Sequence, residues 1–250
     1  MTELDLARAR KTGKPEVVAT RKPGSVMTGA PIPIFAFPPD EDRVEEIFTR
    51  LARVMPEPKT ELTFTDPFTL VVAVALSAQA TDVSVNKATD RLFAVADTPE
   101  TILALGEEGL VPFIASIGLY RNKARNVIAL SRIVLDQHGG VVPLNRTDLQ
   151  ALPGVGRKTA SVVLNELGIE PAIAVDTHVF RVSHRLGLAN AATADKVEDQ
   201  LHQVVPEAFL SKAHHWLILH GRYTCTARKP NCVGCIINDL CPSRGLMAAA

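Results

Sequence analysis

The chain has no surplus of charge: 27 Lys and Arg balance 27 Asp and Glu over 250 residues, a formal net charge of zero at pH 7. Bulk charge therefore predicts no partner, and any nucleic-acid site must come from local clusters of Lys and Arg. Cysteine is absent from the first 224 residues, and all four cysteines fall between Cys225 and Cys241. No apolar run approaches the roughly 20 residues of a membrane span; the longest, Leu70 to Leu76, follows Phe68. The start, Met1-Thr2-Glu3-Leu4-Asp5-Leu6-Ala7-Arg8, lacks an apolar core of signal-peptide length. Together these absences predict a soluble, intracellular protein, expected in the cytoplasm. In such a reducing compartment disulfides are disfavoured, and four clustered cysteines read as a metal site. Strand alternation and Asn-Gly hairpins are also missing, so the expected class is all-α.

What is present is helix after helix from Asp40 onward. Val44, Ile47, Phe48, Leu51 and Val54 follow the spacing of one helical face. Asp66-Pro67 and Thr98-Pro99 pair a capping side chain with proline at the first helical position. Asp82 opens another helix, Gly106 and Gly118 punctuate the next segments, and Gly139-Gly140 ends a helix over Arg121–His138. Val197, Leu201, Val204 and Val205 mark a late amphipathic helix, with Trp216 to Leu219 in another. Residues 1–39 carry six basic side chains against three acidic ones, together with Pro31, Pro33, Pro38 and Pro39, and show no sustained apolar period. They read as a flexible basic extension.

The run Leu152-Pro153-Gly154-Val155-Gly156-Arg157-Lys158-Thr159-Ala160 lies between predicted helices at 147–152 and 157–167. Two glycines around a valine permit a tight turn with positive φ and close backbone approach. The following helix start, with its unpaired N–H groups and positive dipole end, suits a phosphate oxygen. Such a helix–hairpin–helix grips a DNA backbone without reading sequence; a plain interhelical turn has the same spacing. Lys158, one turn into the second helix, suits phosphate contact or, if neutral, nucleophilic attack. A free lysine has a pKa of about 10.4, and partial burial with a positive helix end would lower it. Asp176 follows eighteen positions later as the expected N-cap of a helix ending near Gly187. A helix over 157–168 climbs about 18 Å, and a link over 169–175 spans up to about 23 Å. Chain length thus allows Lys158 and Asp176 to share a site.

The cysteines follow the pattern Cys225-x6-Cys232-x2-Cys235-x5-Cys241. Four thiolates accept either zinc or a [4Fe–4S] cluster, and the spacing lacks the two Cys-x2-Cys clamps of common zinc sites. Arg222, Arg228 and Lys229 surround the first two cysteines, with no acid from Gly221 to Asn238. A metal-pinned loop bearing these charges suits DNA. A second acid-free run, Arg121, Lys123, Arg125 and Arg132, reads as a solvated helix face.

With hairpin, aspartate and cysteines assembled, the chain closely resembles the endonuclease III family of base-excision repair enzymes. The resemblance runs from about Asp40 to Cys241 and rests on Leu76-Ser77-Ala78-Gln79-Ala80-Thr81-Asp82, Leu152 to Ala160, Ala174 to His178, His220-Gly221-Arg222-Tyr223 and the cysteine pattern. It implies two all-α domains flanking a DNA-binding cleft: a six-helix barrel near 60–170, with the hairpin motif at 147–168, and a domain of 40–59 with 171–245 holding a structural [4Fe–4S] cluster on the four cysteines. It implies Lys158 as the attacking amine and Asp176 as its acidic partner. Gln79 would fill the gap left by the flipped base and Leu119 would wedge into the duplex. Gly154, Val155, Gly156, Arg157, Arg222, Arg228 and Lys229 would contact DNA. The implied activity is that of a bifunctional DNA glycosylase and AP lyase acting, as a monomer associated with the nucleoid, on double-stranded DNA with oxidised pyrimidines or abasic sites. Two rivals differ in chemistry. A mismatch adenine or thymine glycosylase lacks the hairpin lysine as nucleophile, whereas Lys158 is present. A non-catalytic DNA-binding module with a zinc-pinned loop would have no need of both Lys158 and Asp176.

Overall fold

The computed structural model describes residues 17–21 and 32–246 of the chain. Among them are ten helices: α1 (Glu41–Val54), α2 (Pro67–Ser77), α3 (Asp82–Phe93), α4 (Pro99–Ile114), α5 (Tyr120–His138), α6 (Arg146–Ala151), α7 (Arg157–Glu166), α8 (Thr177–Arg185), α9 (Ala194–Val204) and α10 (Glu207–Tyr223). The chain divides into two compact units, Lys59–Ala174 and the segment up to Pro58 combined with that from Val175. The resemblance implies breaks at 59/60 and 170/171.

Within Lys59–Ala174, α2 is the central element because it has no polar face: every residue from Phe68 to Leu76 is buried. A helix apolar all round must be covered on all sides. Its start is set locally, since Asp66 Oδ1 accepts from the Phe68 and Thr69 amides at 2.8 and 2.9 Å, while Thr69 Oγ1 accepts from the Asp66 amide at 3.0 Å. Helices α3 to α7 supply the cover with Val85, Leu92, Ile102, Leu110, Val127, Leu130, Leu149 and Leu164. The helix α4 is kinked at Gly106, where φ is +63°. Arg146 ties α6 to α7 by bonding Ser161 Oγ at 2.9 Å, and to the segment after α7 by bonding Glu170 Oε1 at 2.7 Å.

In the other unit α1 buries Val44, Ile47, Phe48 and Leu51. Val54, the fifth member of the predicted stripe, is 64% exposed because the helix ends there. Phe48 stacks on Phe209 of α10 with ring centroids 5.9 Å apart, and Trp216 Nε1 donates to Met55 O at 2.8 Å.

Two readings need correction. The N-terminal extension is not wholly a free tail, and strands are not wholly absent: β1 (Val17–Arg21) pairs antiparallel with β2 (Ile32–Phe35). Phe35 is 1% exposed, and its carbonyl accepts from Asn190 Nδ2 at 3.1 Å. A four-residue strand with Pro33 inside it carries no readable alternation, and proline is tolerated because a two-stranded ribbon is all edge. The remainder of residues 1–39 lies outside the described residues, apart from 36–39. The second correction concerns the basic run on α5. Arg121, Arg125 and Arg132 are exposed, but Lys123 is buried. No helix among the described residues is long and apolar enough to cross a membrane.

Candidate active site and cysteine loop

The hairpin is held from inside by its two apolar residues. Leu152 and Val155 are buried, and the Val155 amide closes the turn on Leu152 O at 3.0 Å. Gly154 has φ +82°, and a Cβ there would lie 3.0 Å from Asn126 Cβ and Nδ2. Both the backbone conformation and the close approach require glycine. Gly156 differs from expectation: its φ is −87°, in the range open to any residue, and nothing lies within 4 Å of a Cβ there. It is the N-cap of α7, with no side-chain cap on the helix. Glycine at this point thus leaves a bare helix N-terminus facing open space, which favours an anion. Arg157 and Lys158 are exposed in the first turn. The partial burial expected of Lys158 is therefore not found.

Asp176 is half-buried and caps α8, its Oδ1 accepting from the Val179 amide at 2.7 Å. The same helix carries two buried arginines to which composition and spacing gave no role. Arg185 donates to Thr226 O at 2.7 Å, Ala227 O at 2.9 Å and Cys225 Sγ at 3.4 Å. Arg181 donates to Gly221 O at 2.9 Å and Cys225 O at 3.2 Å. Close packing supports this arrangement: a Cβ at Gly221 would lie 2.9 Å from His178 Cβ. From the other side Arg43 donates to Leu186 O at 2.7 Å, and Arg50 bonds Asp239 Oδ1 at 2.7 Å and Ile236 O at 3.1 Å. Arginine suits this work because its planar fork can satisfy several loop carbonyls at once. The i, i+4 spacing of Arg181 and Arg185 was readable, but not which carbonyls they meet.

Cys225, Cys232, Cys235 and Cys241 are all half-buried, and no disulfide joins them. The Cys241 thiol is pushed up to about 11, chiefly by burial and also by the neighbouring Cys225, Cys235 and Cys232, against a lowering backbone bond from Ser243. Cys235 is raised as well, first by burial and then by Cys225 and Cys232. The neighbouring sulfurs thus oppose ionisation of Cys235 and Cys241, and a cationic inorganic centre would relieve that opposition. Among the described residues no three His, Cys, Asp or Glu side chains are grouped as around one metal ion. The donor set itself, four thiols and no carboxylate, fits an iron–sulfur cluster. His220 Nε2 lies 3.8 Å from Cys235 Sγ, and burial pushes its pKa down to about 4. Arg228 and Lys229 are exposed on this loop and Arg222 is half-buried.

Gln79 and Leu119 stand out by their backbones. They are the two non-glycine residues with positive φ among the described residues, at 55° and 61°. A left-handed L-residue costs roughly 1–2 kcal/mol, and such strain concentrates at ligand-contacting positions. Both side chains are exposed, Leu119 by 59%. With Lys158 and the hairpin they belong to the unit Lys59–Ala174, while Asp176 and the cysteines belong to the other. An open cavity of about 500 Å³ lined by Glu107, Glu108, Val111, Arg121, Ala124 and Arg125 contains none of the expected site residues.

Comparison with known proteins agrees at both motifs. Residues 72–207 match the HhH-GPD superfamily of base excision DNA repair proteins, and residues 225–241 match the iron-sulfur binding domain of endonuclease III. Endonuclease III of Escherichia coli strain K12 is 59% identical over 196 residues, covering 78% of this chain and 93% of the relative. A non-covalent endonuclease III–DNA complex is similar in structure with a TM-score of 0.77 at 44% identity, covering 81% of this chain and 95% of that one. A trapped endonuclease III–DNA covalent intermediate, an estranged-adenine complex, gives 0.79 at 43% identity, covering 85% and 100%. Agreement of this extent, across hairpin and cysteine loop alike, means that the chain belongs to the endonuclease III family of base-excision DNA repair proteins.

Proposed function

We propose that this DNA glycosylase and AP lyase excises oxidised pyrimidines from double-stranded DNA, with Lys158 as nucleophile and Asp176 as its acidic partner. The observation that carries this reading is the position of Lys158: exposed in the first turn of α7, beside a helix N-terminus with no side-chain cap and behind a glycine-tight turn. The N–H groups there suit the phosphate backbone, which would bring the sugar within reach of the amine.

The chemistry follows from an amine attacking an acetal-like carbon. With the target nucleotide out of the stack, the Lys158 nitrogen bonds the anomeric carbon C1′. The C1′–N bond to the base breaks, and the base leaves with the electron pair and takes up a proton. Opening of the sugar ring gives a protonated Schiff base. Loss of a C2′ proton then expels the 3′ phosphate oxygen by β-elimination, cutting the strand on that side. Water releases the sugar fragment and restores the amine. The Asp176 carboxylate stabilises positive charge on the sugar and assists proton transfer. Gln79 would occupy the vacated stack and Leu119 would wedge into it, while Arg157, Arg222, Arg228 and Lys229 contact phosphates. Cys225, Cys232, Cys235 and Cys241 would hold a [4Fe–4S] cluster, which would act as a structural pin for the charged loop. The reading includes action as a monomer, in the cytoplasm with the nucleoid.

Borohydride reduction tests the Schiff base directly. The unaltered protein should give a covalent adduct with abasic-site DNA, and Lys158→Ala should give none while still binding that DNA. Adduct formation by Lys158→Ala would move the nucleophile elsewhere. A panel of oxidised pyrimidines and purines, read by the same trapping, tests the substrate class; equal trapping on both would remove the pyrimidine assignment.

A further inference from the structure

Lys123 is the member of the basic run on α5 that the solvated-face reading leaves unexplained. It is 7% exposed, whereas Arg121 and Arg125 on the same helix are exposed. Lysine is rarely this buried, because removing an ammonium from water is costly unless something replaces the water. What replaces it is a backbone carbonyl: Lys123 Nζ donates to Ala78 O at 2.6 Å. That carbonyl belongs to the peptide unit that enters Gln79. The Lys123 amide makes the first α-helical bond of α5, to Leu119 O at 3.1 Å. The two loops are adjacent, since a Cβ on Gly118 would lie 3.9 Å from Gln79 O. One residue therefore touches the peptide flanking each strained position of this unit, Gln79 at φ 55° and Leu119 at φ 61°.

We propose that Lys123 is a positioning residue for duplex opening: its buried ammonium locks the Ala78 carbonyl, and through it the left-handed Gln79 loop, in register with the Leu119 loop. This rests on the reading that Gln79 and Leu119 enter the duplex. Two exposed tips that must enter a base stack together need a fixed separation, and strained backbones keep it only when something over-determines them. A charge-assisted bond across the base of both tips does so. Burial also lowers the pKa of this ammonium, in keeping with a group committed to one internal acceptor and not to solvent or phosphate.

The test uses the full-length, cluster-loaded protein and Lys123→Met, which keeps the stem and removes the donor. Single-turnover excision from a duplex is compared with cleavage of single-stranded abasic DNA, in which no stack has to be opened, and 2-aminopurine beside the lesion reports unstacking. We expect the duplex-to-single-strand rate ratio to fall by roughly ten- to a hundredfold, the unstacking signal to fall with it, and the loss to be non-additive with Gln79→Ala or Leu119→Ala. If those two variants slow duplex excision and Lys123→Met leaves the ratio unchanged, the clamp is overturned and the wedge reading stands. If neither Gln79→Ala nor Leu119→Ala alters the ratio, the wedge reading itself fails. Should Lys123→Met melt early, Lys123→Gln supplies a neutral donor. A selective loss on duplex then supports the clamp, and an equal loss on both substrates overturns it as mere structural support.

Discussion

Asp176 is asked to do two things with one carboxylate. Its Oδ1 caps α8 through the Val179 amide, and the proposed chemistry needs its negative charge. Asparagine is nearly as good a cap as aspartate, whereas alanine costs about 1 kcal/mol. Asp176→Asn should therefore keep the thermal midpoint of the unaltered protein and cut slowly in single turnover, while Asp176→Ala should lose both. Wild-type turnover in Asp176→Asn would leave this residue only a cap. The cap was readable, because an aspartate before Thr-His-Val-Phe is a local signal. Lys123 was not readable at all. Its acceptor is the carbonyl of Ala78, 45 positions earlier, and nothing in the surrounding Arg-Asn-Lys-Ala-Arg distinguishes a buried lysine from a solvated one.

At the scale of elements, α8 joins the carboxylate proposed for catalysis to the support of the cysteine loop. Its N-terminus presents Asp176, and its C-terminal half presents Arg181 and Arg185 to the cysteine loop. Arg185→Leu would strand the Thr226 and Ala227 carbonyls and remove the donor to Cys225 Sγ. An unsatisfied buried acceptor costs about 1–3 kcal/mol, so we expect destabilisation of about 3 kcal/mol and faster loss of iron. Thermal melting and iron content per chain measure both, and full iron with an unchanged midpoint would remove Arg185 from the loop's support. The helices α2 and α4 show the opposite case, in which the local signal sufficed. Asp66-Pro67 and Thr98-Pro99 begin helices because the cap and the proline act within four residues. The hairpin glycines were legible as a turn, but not as unequal partners. Gly154 is forced by Asn126 against it, and Gly156 is left open.

For the whole molecule, zero net charge and DNA binding are compatible because two acid-free stretches carry exposed cations. Arg157 and Lys158 lie on the hairpin and Arg228 and Lys229 on the cysteine loop. Phosphate contact releases counterions, so log affinity should fall linearly with log salt concentration. Arg228→Ala and Lys229→Ala should each reduce that slope by about one, uniformly across sequences, in titrations at several salt concentrations. An unchanged slope in both would place this loop off the DNA.

The helical class, the cap residues, the glycine turn and the four-cysteine cluster were legible in the chain as written. Each depends on side chains acting on backbone or ligand within a few positions, where spacing alone sets the geometry. The docking of Phe35, the burial of Lys123, the arginine support of the cysteine loop and the left-handed turns at Gln79 and Leu119 emerged only on folding. Each depends on a carbonyl or an apolar surface brought from a distant part of the chain, and whether a buried polar group is satisfied is a property of that meeting, not of the residue.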